Sequence, residues 1–110
     1  MITFDQFLNV EMHVGTIITV ADFPKARKPS FQLTIDFGEA IGVKQSSAQI
    51  TALYTKETLL NRQIIAVTNF PKRQIATFFS EVLVLGSVDA DGVVTLLQPE
   101  RNVENGLRIG

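Results

Sequence analysis

Cationic side chains gather in two short stretches of this 110-residue sequence. Lys25, Arg27 and Lys28 stand close together in the first stretch, and Lys72 and Arg73 form the second. Ammonium and guanidinium groups bind phosphate and carboxylate oxygens, and a guanidinium group can do so through two parallel hydrogen bonds. The spacing of these residues therefore predicts a site for an anionic partner.

Polar and aromatic side chains are interleaved with these cations. A surface of this composition suits single-stranded or loop RNA, because cations meet phosphates while aromatic rings stack on bases. It also suits an extended peptide, which would use the rings for apolar contact and the amides for its backbone. The candidate binding residues are Lys25, Arg27, Lys28, Lys44, Gln45, Ser46, Asn69, Phe70, Lys72, Arg73 and Ser80, with Phe23, Phe78 and Phe79 as further apolar contacts.

The residues that catalysis or metal binding requires are sparse. The chain has no cysteine and one histidine, His13, which we interpret as a surface or structurally bonded residue rather than a ligand. Lys44 and Ser46 are close enough to suggest a Ser–Lys pair, but their position on a strand favours binding. Asp36-Phe37-Gly38 spells a kinase metal-binding triplet without the other kinase motifs, so we interpret it as a strand end. We expect no enzymatic activity, no metal site and no cofactor.

The overall composition predicts one domain, residues 1–110. Hydrophobic residues make up 45% of the chain, and 10 basic residues against 11 acidic ones leave a net charge of −1. A nucleic-acid partner would thus depend on where the cations lie rather than on total charge. Since no signal peptide and no membrane-length apolar run stands out, we expect a cytoplasmic protein that does not insert into membranes.

Turn signals at short intervals predict many short strands and little helix. Residues 3–8 predict a short helix with Thr3 as its cap, and residues 30–37 alternate strictly between apolar and polar. Asp91-Gly92 is typical of a hairpin turn, and residues 48–61 predict one internal helix with a second cap at Thr55. Further strands are expected at residues 12–20, 41–44, 63–69, 74–78, 81–88, 93–98 and 107–109.

This order of elements predicts an all-β fold, a small closed barrel with one internal helix and a short N-terminal helix. Three apolar runs, at residues 64–67, 82–85 and 93–97, predict strands that are covered on both faces. A second copy of the chain could cover part of that surface. We therefore expect a homodimer.

Several motifs follow one another at a characteristic spacing. They include Val14-Gly15-Thr16-Ile17, Lys44-Gln45-Ser46-Ser47-Ala48-Gln49-Ile50-Thr51, Asn69-Phe70-Pro71 and Asn105-Gly106. Together they closely resemble the CsaA-type family of secretion chaperones, which is similar in turn to the tRNA-binding domains of methionyl-tRNA synthetases. The resemblance covers nearly the whole chain.

The resemblance implies an oligonucleotide/oligosaccharide-binding (OB) barrel that forms a homodimer and has no enzymatic activity. It implies binding of tRNA and of unfolded preproteins, together with the export motor SecA, and we expect RNA and peptide to share one basic and aromatic groove. The chain departs from the wider tRNA-binding pattern in its first basic loop, residues 23–30, and at Ala76-Thr77. A dedicated tRNA-binding module without a chaperone role, and a dimeric assembly factor that binds no nucleic acid, remain as alternatives.

Overall fold

Nine strands and two short helices follow one another along the chain. The computed structural model describes residues 1–110. Five strands form one antiparallel sheet in the order β3-β2-β1-β4-β7, while β5-β6 and β8-β9 form two separate hairpins. The elements are α1 (Phe4–Leu8), β1 (Met12–Asp22), β2 (Phe31–Asp36), β3 (Val43–Ala48), α2 (Lys56–Leu59), β4 (Gln63–Val67), β5 (Arg73–Ile75), β6 (Phe78–Ser80), β7 (Leu83–Val84), β8 (Gly86–Val88) and β9 (Val94–Leu96).

Strand β2 lies at the centre of the core, as its sequence alternation predicts. Its apolar residues Phe31, Leu33 and Ile35 are buried, while the polar residues between them are half-buried. Leu33 and Ile35 pack with the equally buried Ile17 and Ile64 from the neighbouring strands. Burial of these aliphatic groups, at roughly 25 cal/mol per Å², is the main stabilisation of such a fold.

Strand β1 is long enough to pair on both sides. Its first half pairs with β4 from Met12 to Thr16, and its second half pairs with β2 from Thr16 to Asp22. The register shifts between Ile17 and Thr19, and such a bulge bends a strand so that the sheet can curl.

The sheet curls until its two edges meet, which gives a nearly closed five-stranded barrel. At the junction the Glu81 amide donates to the Gln45 carbonyl at 2.8 Å, and the buried Ser46 hydroxyl donates to the Val82 carbonyl at 3.0 Å. The prediction of a small β-barrel is confirmed.

Local sequence signals are confirmed at both ends of the chain. Thr3 and Gln6 form a reciprocal capping box at the start of α1. The Asp91-Gly92 turn joins β8 to β9, and Gly92 has a φ of 79°. The predicted last strand, residues 107–109, is reduced to one bridge between His13 and Arg108, although the Val14 amide donates to the Leu107 carbonyl at 3.0 Å.

The predicted helix over residues 48–61 is wrong for most of its length. Ala48 ends β3 and Ile50 follows two positions later, so the buried positions repeat every second residue rather than every third or fourth. Only Lys56–Leu59 is helical, and Thr55 caps it as expected. Pairing of β3 with β2 places Ala48 in a strand, and residues 49–55 form turns and irregular structure before α2.

Two strand predictions also need correction. The strand expected at residues 41–44 begins later and runs from Val43 to Ala48. The strand expected at residues 74–78 is a hairpin, because the chain turns at Ala76 with a φ of 55°. A positive φ is uncommon for alanine, so no turn residue marks this position in the sequence.

Coverage of the three apolar runs is uneven. Ile64, Ala66 and Val67 are buried within one chain, but Leu83 and Leu97 are about half exposed. The expectation of strands covered on both faces is thus met in part by the single chain.

Gly15 faces the core where no side chain fits. A Cβ at this position would lie 2.6 Å from Cγ2 of Ile35 and 2.7 Å from the ring of Phe37, and both side chains are fully buried. We expect Gly15→Ala to lower the free energy of unfolding by about 1–3 kcal/mol, because the packed core must shift. Urea unfolding measures the change, with Gly110→Ala as the control. Equal stability of the two variants would contradict the packing around Gly15.

Candidate functional site

Two adjoining grooves lie along the side of the barrel where its edges meet. The first, which we name the seam groove, has a volume of about 540 Å³ and runs between residues 47–50 and residues 83–88. The second, the hairpin groove, has a volume of about 460 Å³ and lies beside the β5–β6 hairpin. The two grooves share Ser47, Arg73, Ile75 and Leu83. They form one continuous surface.

The seam groove has aliphatic walls and a cationic rim. Ile50, Val84 and Val94 are among its lining residues, and no aromatic or acidic residue lines it. Arg27, Lys28 and Arg73 supply its charge. Such a groove offers apolar contact with positive charge beside it.

The hairpin groove has a different character. It is lined by Phe70, Lys72 and Arg73, with Ser80 opposite. Glu81 also lines this groove, but its carboxylate accepts a hydrogen bond from the backbone amide of Gln45 at 3.2 Å. An exposed aromatic ring beside two cations is an arrangement that can stack a base and contact phosphate.

The β5–β6 hairpin positions Arg73. In its register Arg73 pairs with Ser80 and Ile75 with Phe78, so these four side chains share the face that is turned to the grooves. Phe79 lies on the opposite face and is 47% exposed.

An aromatic pair connects the two cationic stretches. The rings of Phe23 and Phe78 lie edge to face with their centroids 5.4 Å apart. Phe23 is buried at the start of the first cationic loop, and at the end of the loop the Ser30 hydroxyl donates to the Lys28 carbonyl at 2.9 Å. The packing of these rings holds the loop that carries Arg27 and Lys28 against the hairpin that carries Arg73, and all three residues line the seam groove.

The structure brings together six of the eleven candidate binding residues. Lys25 and Gln45 are exposed but line neither groove. Lys44, which is half-buried on β3, also lines neither groove. The six that line the grooves are Arg27, Lys28, Phe70, Lys72, Arg73 and Ser80.

Two candidate residues have structural hydrogen bonds instead. Ser46 is 1% exposed, and its hydroxyl belongs to the barrel closure. The Asn69 side chain accepts from the Glu11 amide at 3.1 Å and donates to the Asn9 carbonyl at 2.8 Å. Asn69 thus ties the loop that carries Phe70 to the segment that follows α1.

The aromatic candidates divide by exposure. Phe23 is buried and cannot meet a ligand in this conformation, which corrects its expected role as an apolar contact. Phe78 is half-buried against it, while Phe70 is 54% exposed.

The aliphatic wall of the seam groove is the part of the surface that the sequence does not indicate. Leu83, Val84 and Val88 occur in an apolar stretch with the pattern of buried strands. They line a groove because they lie at an unpaired edge of the sheet. Residue types in the sequence do not show which strand will be at an edge.

His13 contacts the residue that precedes Asn69. Its Nδ1 lies 2.8 Å from the Thr68 hydroxyl, which itself donates to the Glu11 carbonyl at 3.2 Å. Burial lowers the pKa of His13; the Glu11 carboxylate opposes this shift and the Arg108 guanidinium adds to it. The folded chain therefore favours the neutral imidazole.

Protonation of His13 should destabilise the fold. Because the pKa of His13 is lowered in the folded chain, the unfolded chain binds the proton first as the pH falls below about 6.5. We expect the free energy of unfolding to fall between pH 7.5 and pH 5.5, and to fall less in His13→Gln. Urea unfolding at both pH values measures this difference, and identical pH dependence in the two proteins would refute it.

No three histidine, cysteine or acidic side chains lie together in a way that could hold a metal ion. Neither helix has the length and apolar character that crossing a membrane requires.

Comparison with known proteins gives three findings. Residues 12–108 match the family model described as "Putative tRNA binding domain". The crystal structure of chaperone CsaA from Bacillus anthracis is similar at a TM-score of 0.94 and 48% identity, over 100% of this chain and 99% of that one. The CsaA chaperone protein from Picrophilus torridus gives a TM-score of 0.93 and 52% identity over 100% of both chains.

A curated relative carries a similar sequence as a small part of a larger protein. The methionine–tRNA ligase of Pelodictyon phaeoclathratiforme is 34% identical over 109 residues, which is 99% of this chain and 15% of the ligase. The chain thus spans about a seventh of the length of that ligase.

Proposed function

The chain belongs to the family of tRNA-binding domains, and from this we propose that it is a non-enzymatic protein that binds tRNA and unfolded preproteins. Both ligands would use the surface formed by the seam groove and the hairpin groove. The observation that carries the proposal is the meeting of the two cationic stretches at these grooves, beside the exposed ring of Phe70.

For tRNA, the hairpin groove supplies the two contacts that single-stranded RNA needs. Lys72 and Arg73 would meet backbone phosphates, and Phe70 would stack on an unpaired base. Because the net charge is −1, long-range attraction adds little, so affinity depends on these local contacts.

Salt dependence tests the tRNA proposal directly. Each phosphate contact contributes about 0.7–0.9 to the slope of log K against log salt concentration. We expect the double substitution Lys72→Ala/Arg73→Ala to weaken tRNA binding and to reduce the slope by roughly 1.4–1.8. Filter binding or fluorescence anisotropy over a salt series measures both quantities.

The matched control removes the same charges elsewhere. Lys56 and Arg101 are exposed, line neither groove and pair with Asp22 and Glu100. The double substitution Lys56→Ala/Arg101→Ala should leave the salt slope unchanged. Equal effects of the two double substitutions would place RNA binding elsewhere, and no tRNA binding by the unaltered protein would refute the proposal.

For unfolded preproteins, the support is the similarity to two proteins described as CsaA chaperones and the aliphatic wall of the seam groove. Exposed apolar surface in a groove is where an unfolded segment can bury its own side chains. We propose cytoplasmic action before export, with SecA as a further partner. Suppression of the aggregation of an unfolded model substrate tests this role; tRNA binding without suppression would leave a dedicated tRNA-binding module.

We also propose that two copies of the chain associate through α1. No residue of this helix is buried, and Phe4 is 71% exposed next to the equally exposed Ile2. A five-residue helix is not stable in water by itself, so it needs a packing partner. In a two-fold symmetric dimer, the apolar face of α1 in each copy would be covered by the other copy.

A charge on the apolar face of α1 should separate the two copies. We expect sedimentation of the unaltered protein at micromolar concentration to show a dimer and Phe4→Glu to show a monomer, because the carboxylate would be buried without a partner. Leu53→Glu is the control, since Leu53 is 57% exposed and distant in sequence from α1. A monomeric unaltered protein would remove the dimer proposal.

A further inference from the structure

We propose that the seam groove binds an extended polypeptide segment as an additional β-strand. The segment would pair its backbone with the edge formed by Val84, Gly86 and Val88, bury aliphatic side chains in the groove and present acidic residues to the rim. This inference rests on the proposed function in one respect, namely that unfolded protein is a ligand.

The barrel closure ends where the seam groove begins. The last hydrogen bond of the junction on β3 is donated by the Ser47 amide to the Ser80 hydroxyl at 3.1 Å. Beyond it, the backbone amide and carbonyl of Gln49 form no hydrogen bond within the chain. The two walls of the seam groove, residues 47–50 and residues 83–88, therefore separate here and leave an open seam between them.

The opposite wall carries a free strand edge. The Leu85 amide donates to the Ile65 carbonyl at 2.9 Å, and the Leu85 carbonyl accepts from the Leu97 amide at 3.1 Å. Both backbone groups of Leu85 thus point away from the seam. The backbone groups of successive residues point to opposite sides of a strand, so those of Val84 and Gly86 point into the seam.

The same alternation continues to Val88. The Asp89 amide donates to the Val93 carbonyl at 3.1 Å, which directs the backbone groups of Asp89 towards β9 and those of Val88 towards the seam. Val84, Gly86 and Val88 line the groove. An unpaired strand edge of this kind is a template for the backbone of an added strand.

The composition of the groove favours a polypeptide over a nucleic acid. Its walls are aliphatic, with Val88 66% exposed and Leu83 50% exposed, and it has no ring on which a base could stack. Residues 83–88 extend over roughly 20 Å at ~3.3 Å per residue, which matches an added strand of about six residues.

The charge at the rim selects among polypeptides. Arg27, Lys28 and Arg73 line the groove and no acidic residue does. A segment with glutamate or aspartate beside its aliphatic residues is therefore the complementary ligand. A segment flanked by lysine would meet like charge.

Labelled peptides test the mode of binding. The probe is a fluorescein-labelled nine-residue peptide of alternating valine and threonine with a glutamate at each end, titrated with the full chain by fluorescence anisotropy. Two versions carry N-methyl groups, one on the valines and one on the threonines. Only one of the two sets of peptide amides would face the strand edge, and N-methylation of that set removes its hydrogen bonds. We therefore expect one version to bind at least roughly tenfold more weakly than the other.

Two further comparisons test whether the peptide binds in the seam groove and whether the cationic rim selects acidic peptides. Val88→Glu should weaken binding of the glutamate-ended peptide, whereas Val43→Glu, at an exposed residue that lines neither groove, should not. A lysine-ended peptide should bind more weakly than the glutamate-ended one.

The outcomes separate this inference from the function on which it rests. Equal binding of the two N-methylated peptides, or equal effects of Val88→Glu and Val43→Glu, overturns strand addition while aggregation suppression by the unaltered protein still stands. If the unaltered protein neither suppresses aggregation nor binds any of the peptides, the preprotein part of the proposed function fails as well.

Discussion

A few hydrogen bonds between β3 and residues 80–82 close the barrel, and the surface that carries the candidate binding residues depends on them. The buried Ser46 hydroxyl holds the Val82 carbonyl, and the Ser80 hydroxyl accepts from the Ser47 amide one position further along β3. From that point the two walls separate. The hairpin groove and the seam groove adjoin at this junction, and Arg73 lines both because β5 and β6 pair beside it.

Aromatic packing is the second constraint on the site. Phe23 and Phe78 come from segments that are far apart in sequence, and their edge-to-face contact holds the first cationic loop against the β5–β6 hairpin. Neither ring has to meet a ligand for the binding surface to depend on it. The cations on either side of this pair are brought together by apolar contact, while mutual repulsion would separate them.

The two grooves offer different chemistry within one continuous surface. Phe70 with Lys72 supplies stacking and phosphate contact, whereas the walls of the seam groove supply aliphatic contact and an unpaired strand edge. A chain with a net charge of −1 can therefore present a strongly cationic region, because its charges are unevenly placed. Arg73, which lines both grooves, is the residue through which two ligands would exclude each other.

The amino-acid sequence by itself determined the features whose signals are local. The alternation along β2, the capping box at Thr3 and the turn at Asp91-Gly92 are set by residues a few positions apart, and the series of motifs indicates the barrel. The same local reasoning failed over residues 48–54, where β3 pairs with β2 and the chain then continues without helix, and at Ala76, where a turn forms at a residue that rarely adopts a positive φ.

The sequence also identified the cations, but only the tertiary structure decided which side chains are free to bind. Ser46 and Asn69 have the right chemistry for a ligand, yet each is engaged with a residue more than thirty positions away. Leu83 and Val88 have the composition of a core, yet they lie exposed at an open edge. Burial and hydrogen-bond partners arise from contacts between distant segments, and the type of a residue carries no information about those contacts.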